Sequence, residues 1–131
     1  MLQRDYILEM IVRFAEALAR ALKLAVLQRD IRGCEEVEQE VAGLLELDSS
    51  TALALSPESL VTIMSLSGMA DSTAEYVAYA LDRVADAYED LGKPETADIR
   101  RLQAEAVADA FGCDLSHVPS ELDEVDQELF G

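Results

Sequence analysis

Tryptophan is absent, histidine occurs once, and aromatic residues make up only 5% of the 131-residue chain. Any core must therefore be built from aliphatic side chains and alanine, and alanine lets helices approach closely. Only three prolines and six glycines interrupt the chain. Period-two runs of β-branched residues are missing, so an all-α fold is expected, in one domain spanning residues 1–131. No apolar run is long enough for a membrane span, because Glu9, Arg13, Glu16, Arg20 and Lys23 interrupt the first one. Nothing resembling a signal peptide precedes the fold. With two cysteines, Cys34 and Cys113, the expectation is a cytoplasmic protein with free thiols.

Positive charge is scarce as well. Ten basic residues face 27 acidic ones, for a formal charge of −17. The imbalance is uneven: residues 1–32 carry six basic and four acidic side chains, net +2, and residues 33–131 carry four and 23, net −19. Such a surface disfavours nucleic acid and anionic membranes as partners, and the plain account of it is solubility.

The residues that are present fall into helical periods. From Gln3 to about Gln28, Asp5, Glu9, Arg13, Glu16, Arg20 and Lys23 form one polar line on an otherwise apolar helix. Glu9–Arg13 and Glu16–Arg20 have the favourable acid-first i,i+4 order. So narrow a polar line implies burial on two sides, either at the centre of the domain or against another subunit. Arg32-Gly33 reads as a break before a second helix over Cys34–Leu47, with Glu35, Glu36, Glu38 and Glu40 outward near its N-terminus, where the helix dipole favours acids. Asp48-Ser49-Ser50 is a turn. Ser56-Pro57 starts a short connecting helix over 56–67 with a capping serine and proline at the first position; Leu60, Ile63, Met64 and Leu66 are its expected core face. Ser72-Thr73-Ala74-Glu75 reads as a capping box. It opens an antiparallel helix pair over 71–112 that turns at Gly92-Lys93-Pro94 and stops at Gly112. Val77, Leu81, Val84, Tyr88 and Leu91 give its first apolar stripe; Ala97, Ala104, Val107, Ala108 and Phe111 give the second. A loop and a short C-terminal helix over 119–130, with Leu122, Val125 and Leu129 inward, complete a compact bundle of five or six helices.

The 71–112 pair resembles a tetratricopeptide unit: Leu81, Val84, Ala85, Tyr88, Gly92, Ala97 and Ala104 stand where that motif wants large, large, small, aromatic, turn, small and small. Arg101 stands where an aromatic is usual, and the closing proline is missing. The pair over 1–48 is similar more weakly, through Gly33 and Leu44-Leu45-Glu46-Leu47-Asp48. Because solenoids need about three such repeats, the resemblance implies a compact bundle with tetratricopeptide-like pairs. Asp5-Tyr6-Ile7, Leu47-Asp48 and Leu55-Ser56-Pro57-Glu58 are similar to a bacterial family of small helical proteins known only as a domain of unknown function. That resemblance implies a bacterial cytoplasmic protein and brings no catalytic residues.

Little in the pattern supports catalysis. The single histidine excludes a di-iron centre built from two Glu-x-x-His pairs, and His117 has no glycine elbow around it. Cys113 and His117 have a metal-ligand spacing if helical, but structural zinc needs four ligands and catalytic zinc three. Asp123-Glu124-Val125-Asp126 lacks the alternation and glycine of a calcium loop. The i,i+4 pairs Asp82–Asp86 and Asp86–Asp90 read as a solvated face. No cofactor or metal is expected. Tyr76, Tyr79, Arg83, Arg100 and Arg101 form a candidate face for an acidic peptide, against core packing of the tyrosines and pairing of the arginines with Asp86, Asp98 or Glu105. Tyr6, Met10, Phe14 and Leu18 form a candidate homodimer face, because the apolar arc of the first helix exceeds what the second can cover. The expected function is a non-catalytic protein-interaction or structural module. The alternatives are a small-molecule or metal-dependent enzyme using carboxylates, and an acidic decoy that binds a basic nucleic-acid-binding protein.

Overall fold

The computed structural model describes the backbone of residues 2–131 and the side chains from Tyr6 onward; the Asp5 side chain, expected to open the polar line of the first helix, lies outside the described residues. All regular structure among them is helical: α1 (Leu2–Val26), α2 (Ile31–Leu44), α3 (Ser49–Ala52), α4 (Pro57–Leu66), α5 (Asp71–Asp90), α6 (Pro94–Phe111), a 3-10 turn (Ser120–Leu122) and α7 (Asp123–Phe130). The seventh helix, beyond the five or six expected, is α3. It is a single turn capped by Asp48, whose carboxylate accepts from the Ser50 backbone N–H, where the sequence reads as a plain turn.

The centre of the bundle is α5, not α1. It packs on α6, α2 and α1, and twelve of its twenty residues are buried, among them Ala74, Ala78, Ala80, Ala85 and Ala87. These alanines fall in two stripes, Ala74, Ala78 and Ala85 on one and Ala80 and Ala87 on the other, which lets neighbouring helices approach α5 closely. The turn after α5 is as expected: Gly92 has φ +80°, and the Lys93 N–H reaches back to the Tyr88 carbonyl at 2.9 Å before Pro94 begins α6. Gly112 ends α6 in the left-handed conformation. Ser56 caps α4 by accepting from the Ser59 N–H.

Three boundary readings are corrected. The break before α2 falls at Leu27–Asp30, with Arg29 at φ +51°, and Asp30 caps α2 by accepting from the Arg32 N–H at 3.0 Å. Helix α2 therefore starts earlier and ends earlier than expected, with Glu46 at φ +57° turning the chain. Its glutamates lie beyond the first turn, which has no acid, so the dipole does not explain them. Ser72 and Glu75 form no capping box: α5 begins at Asp71 behind Ala70, with no side-chain cap. Leu66 is 82% exposed rather than inward, because it points away from α6 while Leu60 and Met64 fill the contact.

Gly33 is not a break. It lies inside α2, buried, where that helix crosses α1. A Cβ there would stand 2.3 Å from the Ala25 nitrogen and 2.6 Å from the Ala21 carbonyl oxygen. Both obstacles are backbone, so the helices would have to separate. Gly33→Ala is expected to lower stability by about 1–3 kcal/mol. Gly43→Ala, on the same helix with open space around it, should gain a few tenths to about 1 kcal/mol. Thermal melts of the two variants shifting in the same direction would show the crossing to be drawn wrongly.

Candidate functional site

The five residues of the expected peptide face do not form one face. Tyr76, Tyr79 and Arg83 follow one another along α5 at helical spacing, and the 3-10 turn and α7 cover them. The Tyr76 hydroxyl donates to the Glu121 carboxylate. The Tyr79 hydroxyl donates to Asp126 Oδ1 at 2.8 Å, and Arg83 Nε donates to the same oxygen at 2.6 Å. The Arg83 guanidinium lies over two rings, 5.3 Å from the Tyr79 ring centre and 5.2 Å from that of Phe130, within cation–π range of each. Asp126 is only 9% exposed, so this pairing is what permits a buried carboxylate.

Arg100 points the other way, toward α2. Its Nε donates to Glu38 at 2.7 Å, and its Nη1 donates to the Leu53 carbonyl at 2.9 Å and to Gln103 Oε1 at 3.0 Å. Tyr88 donates to Glu38 as well, at 2.8 Å. Gln103, fully buried, donates to the carbonyls of Leu53 and Leu55, which fastens the chain between α3 and α4. Arg101 pairs with Asp86 at 3.0 Å and with Glu89. Tyr76 and Tyr79 are 7% and 4% exposed. The chemistry that would read an acidic peptide is thus engaged within the protein, because desolvated arginines beside acids form internal pairs. The partners Asp126 and Glu38 have no signal in the sequence: Arg83 and Asp126 are 43 residues apart, and Glu38 reads as one of an outward acidic row.

Burial, with the neighbouring carboxylate second, raises the pKa of the Tyr76 and Tyr79 phenols. Burial and then the Glu38 charge raise that of Tyr88. Burial pushes the Cys34 thiol up to about 12. Asp82, expected on a solvated face, is partly buried, and burial followed by Asp86 raises its carboxyl above the usual range. Glu121 is lowered by the Tyr76 hydroxyl.

What stays open is the first half of α1. Phe14 and Leu18, expected on a dimer face, are core residues at 4% and 0% exposure; Phe14 meets the Tyr76 ring edge-on at 6.4 Å. Two turns earlier the helix is only loosely covered by its neighbours. Tyr6, Ile7, Leu8 and Val12 are exposed by 68, 40, 54 and 45%. A groove lies on either side of this projecting part. One, of about 720 Å³, runs between α1 and the Ser72–Tyr76 and 117–121 segments; Ile7, Leu8, Ile11, Tyr76, Val118 and Pro119 are its apolar lining. The other, of about 320 Å³, lies between α1 and α2, with Tyr6, Met10, Phe14 and Leu44 inside and Glu9, Arg13 and Glu40 at its edge.

Among the described residues, no group of three or more His, Cys, Asp or Glu is placed to hold a metal ion. Cys113 and His117 share a loop, His117 faces Glu75 at 3.5 Å, and Cys34 is buried in α2. No described helix is long and apolar enough to cross a membrane. Compared with protein-family models, curated proteins and solved structures, the chain matches none.

Proposed function

We propose that the protein is a non-catalytic interaction module, that its docking element is the first half of α1, and that one partner is a second copy of the chain. The observation that carries this reading is the exposure of Tyr6, Ile7, Leu8 and Val12 on a helix whose second half is core. An apolar projection of that kind marks an interaction surface. In this reading α5 and α6 act as a tetratricopeptide-like pair turned to internal support, since their arginines and tyrosines are already paired. The groove between α1 and α2 suits self-association. Its edge carries both signs, Glu9 and Glu40 against Arg13, so a two-fold axis can set each arginine against the other copy's acids. Residues 1–32 are also the only part of the chain with net positive charge, where two copies of an acidic protein meet with least repulsion. Tyr6 and Met10 remain in this interface; Phe14 and Leu18 lie behind it.

Light scattering over a dilution series tests the reading. The native chain should show a dimer that dissociates through the micromolar range. Tyr6→Glu should be a monomer with an unchanged helical spectrum. A monomer mass for the native chain at every concentration would contradict self-association.

A further inference from the structure

The groove between α1 and the 117–121 segment has a different chemistry from its neighbour. Its inner wall continues the core: Ile7 and Ile11 are one turn apart on the side of α1 that bears Phe14 and Leu18, and Ile11 is only 9% exposed. At its edge stand Glu75 and Glu121, and among the described residues no lysine or arginine lines it. His117, the one basic side chain there among the described residues, already faces Glu75 at 3.5 Å. Helix α5 closes one side and the loop at Val118-Pro119 the other, so the space is an unfilled helix position of the bundle. Its volume of about 720 Å³ takes the side chains of two or three helical turns.

We propose that this groove receives a cationic amphipathic helix from another protein, laid with its apolar stripe on Ile7, Leu8 and Ile11 and its lysines or arginines toward Glu75 and Glu121. The inference rests on the interaction-module reading and names the partner of one of its two grooves. Helix-in-groove recognition needs an apolar floor and rim charges opposite to those of the ligand, and both are in place. A second copy of the chain does not satisfy this groove, because its body brings carboxylates to carboxylates, −19 over residues 33–131. An anionic membrane is repelled for the same reason. The charge of the whole chain adds long-range steering: a cationic helix approaches a −17 protein faster than a neutral one does, and less so as salt screens the field.

The test uses a synthetic helix of leucine and lysine at amphipathic spacing, and its counterpart with glutamate for every lysine, titrated into the full-length protein by fluorescence anisotropy. The lysine peptide should bind one to one, more weakly as salt rises, and the glutamate peptide should not. Glu75→Lys and Leu8→Glu should each weaken binding by about tenfold or more, equivalent to roughly 1.4 kcal/mol. Leu8 is 54% exposed, and Glu75, with its side chain 30% exposed, meets the exposed His117 at the groove edge. A melting curve on each variant confirms folding. Glu36→Lys on the exposed face of α2 makes the same charge change away from the groove and should leave affinity within about twofold. No binding of the lysine peptide, equal binding of the glutamate peptide, or equal loss with Glu36→Lys (diffuse charge attraction alone) would each overturn the inference. The dimer is assayed by mass and through Tyr6, on the other side of α1. A dimer that fails to bind the lysine peptide therefore overturns this inference alone.

Discussion

Alkaline titration is expected to unfold the protein between about pH 10 and about pH 12, with ionisation of its buried tyrosines as the cause. Tyr76, Tyr79 and Tyr88 are each under 8% exposed, and each donates its hydroxyl to a carboxylate: Glu121, Asp126 and Glu38 respectively. A phenolate in any of these places would lose its solvation and face a carboxylate of like charge. All three phenols are accordingly raised above their ordinary value, by burial first. In the unfolded chain a tyrosine loses its proton near pH 10, whereas in the folded protein these three keep theirs. Above pH 10 the folded state therefore binds more protons than the unfolded state. The stabilisation is complete below the unfolded pKa and is lost as pH rises toward the folded values. Each phenol removes up to about 1.4 kcal/mol per pH unit in that window. Cys34, pushed up to about 12 by burial, acts with the same sign from a lower starting pH, since an unfolded thiol ionises near pH 8.5. Three phenols over two pH units amount to roughly 8 kcal/mol as an upper bound, comparable to the whole stability of a small domain. In a Tyr6→Phe background, phenolate absorbance and helical ellipticity should change together. Phenolate forming at all three positions while the helices persist would show that these hydroxyls are not buried against acids.

Phe14→Asp should abolish folding at neutral pH. Phe14 sits at the junction of α1, α2 and the Tyr76 ring of α5, at 4% exposure. Removing a buried phenylalanine costs about 3–5 kcal/mol, and a carboxylate in its place adds several more unless it is protonated. The nearest basic residue along the helix, Arg13, is already with Glu9 at 2.7 Å on the outer face. The sum exceeds the typical margin of a domain this size. Tyr6→Asp makes the same change of class two turns earlier, at a residue 68% exposed, and should move stability by less than about 0.5 kcal/mol. Helical circular dichroism of the pair is the measurement. A folded Phe14→Asp monomer would place Phe14 on the surface and return it to the dimer face.

That contrast shows what the pattern along α1 could and could not carry. Helical period separates the polar line of Glu9, Arg13, Glu16, Arg20 and Lys23 from the apolar arc. It holds no information on where the neighbouring helices stop. Ile7, Phe14 and Leu18 lie on the same side of the cylinder, yet the first is open and the others buried, because beside Ile7 the start of α5 and the 117–121 segment leave a groove unfilled. The turn at Gly92 and the caps at Ser56 and Gly112 were legible because each depends on the backbone conformation of one or two residues. Gly33 was misleading for the same reason: a glycine reads locally as a break, and only the crossing of α1 shows that its missing side chain admits another backbone. The arginine partners were illegible because they join residues about 40–60 positions apart, which no local spacing records. The short C-terminal segment ending in α7 shows in its sequence only the apolar stripe of Leu122, Val125 and Leu129. Its Asp126 is nonetheless the group that turns Tyr79 and Arg83 inward and removes them from any open face.

The account rests most heavily on the first half of α1 being a docking surface and the second half core. Amide hydrogen exchange resolved along α1, measured on the native chain at rising protein concentration, tests this directly. Protection should rise with concentration over residues 6–12 and on the facing part of α2 near Gln39–Leu44, while residues 14–25, already buried in the monomer, should exchange slowly and unchanged throughout. Protection over residues 6–12 that does not respond to concentration, or a response that appears over residues 14–25 instead, would contradict it.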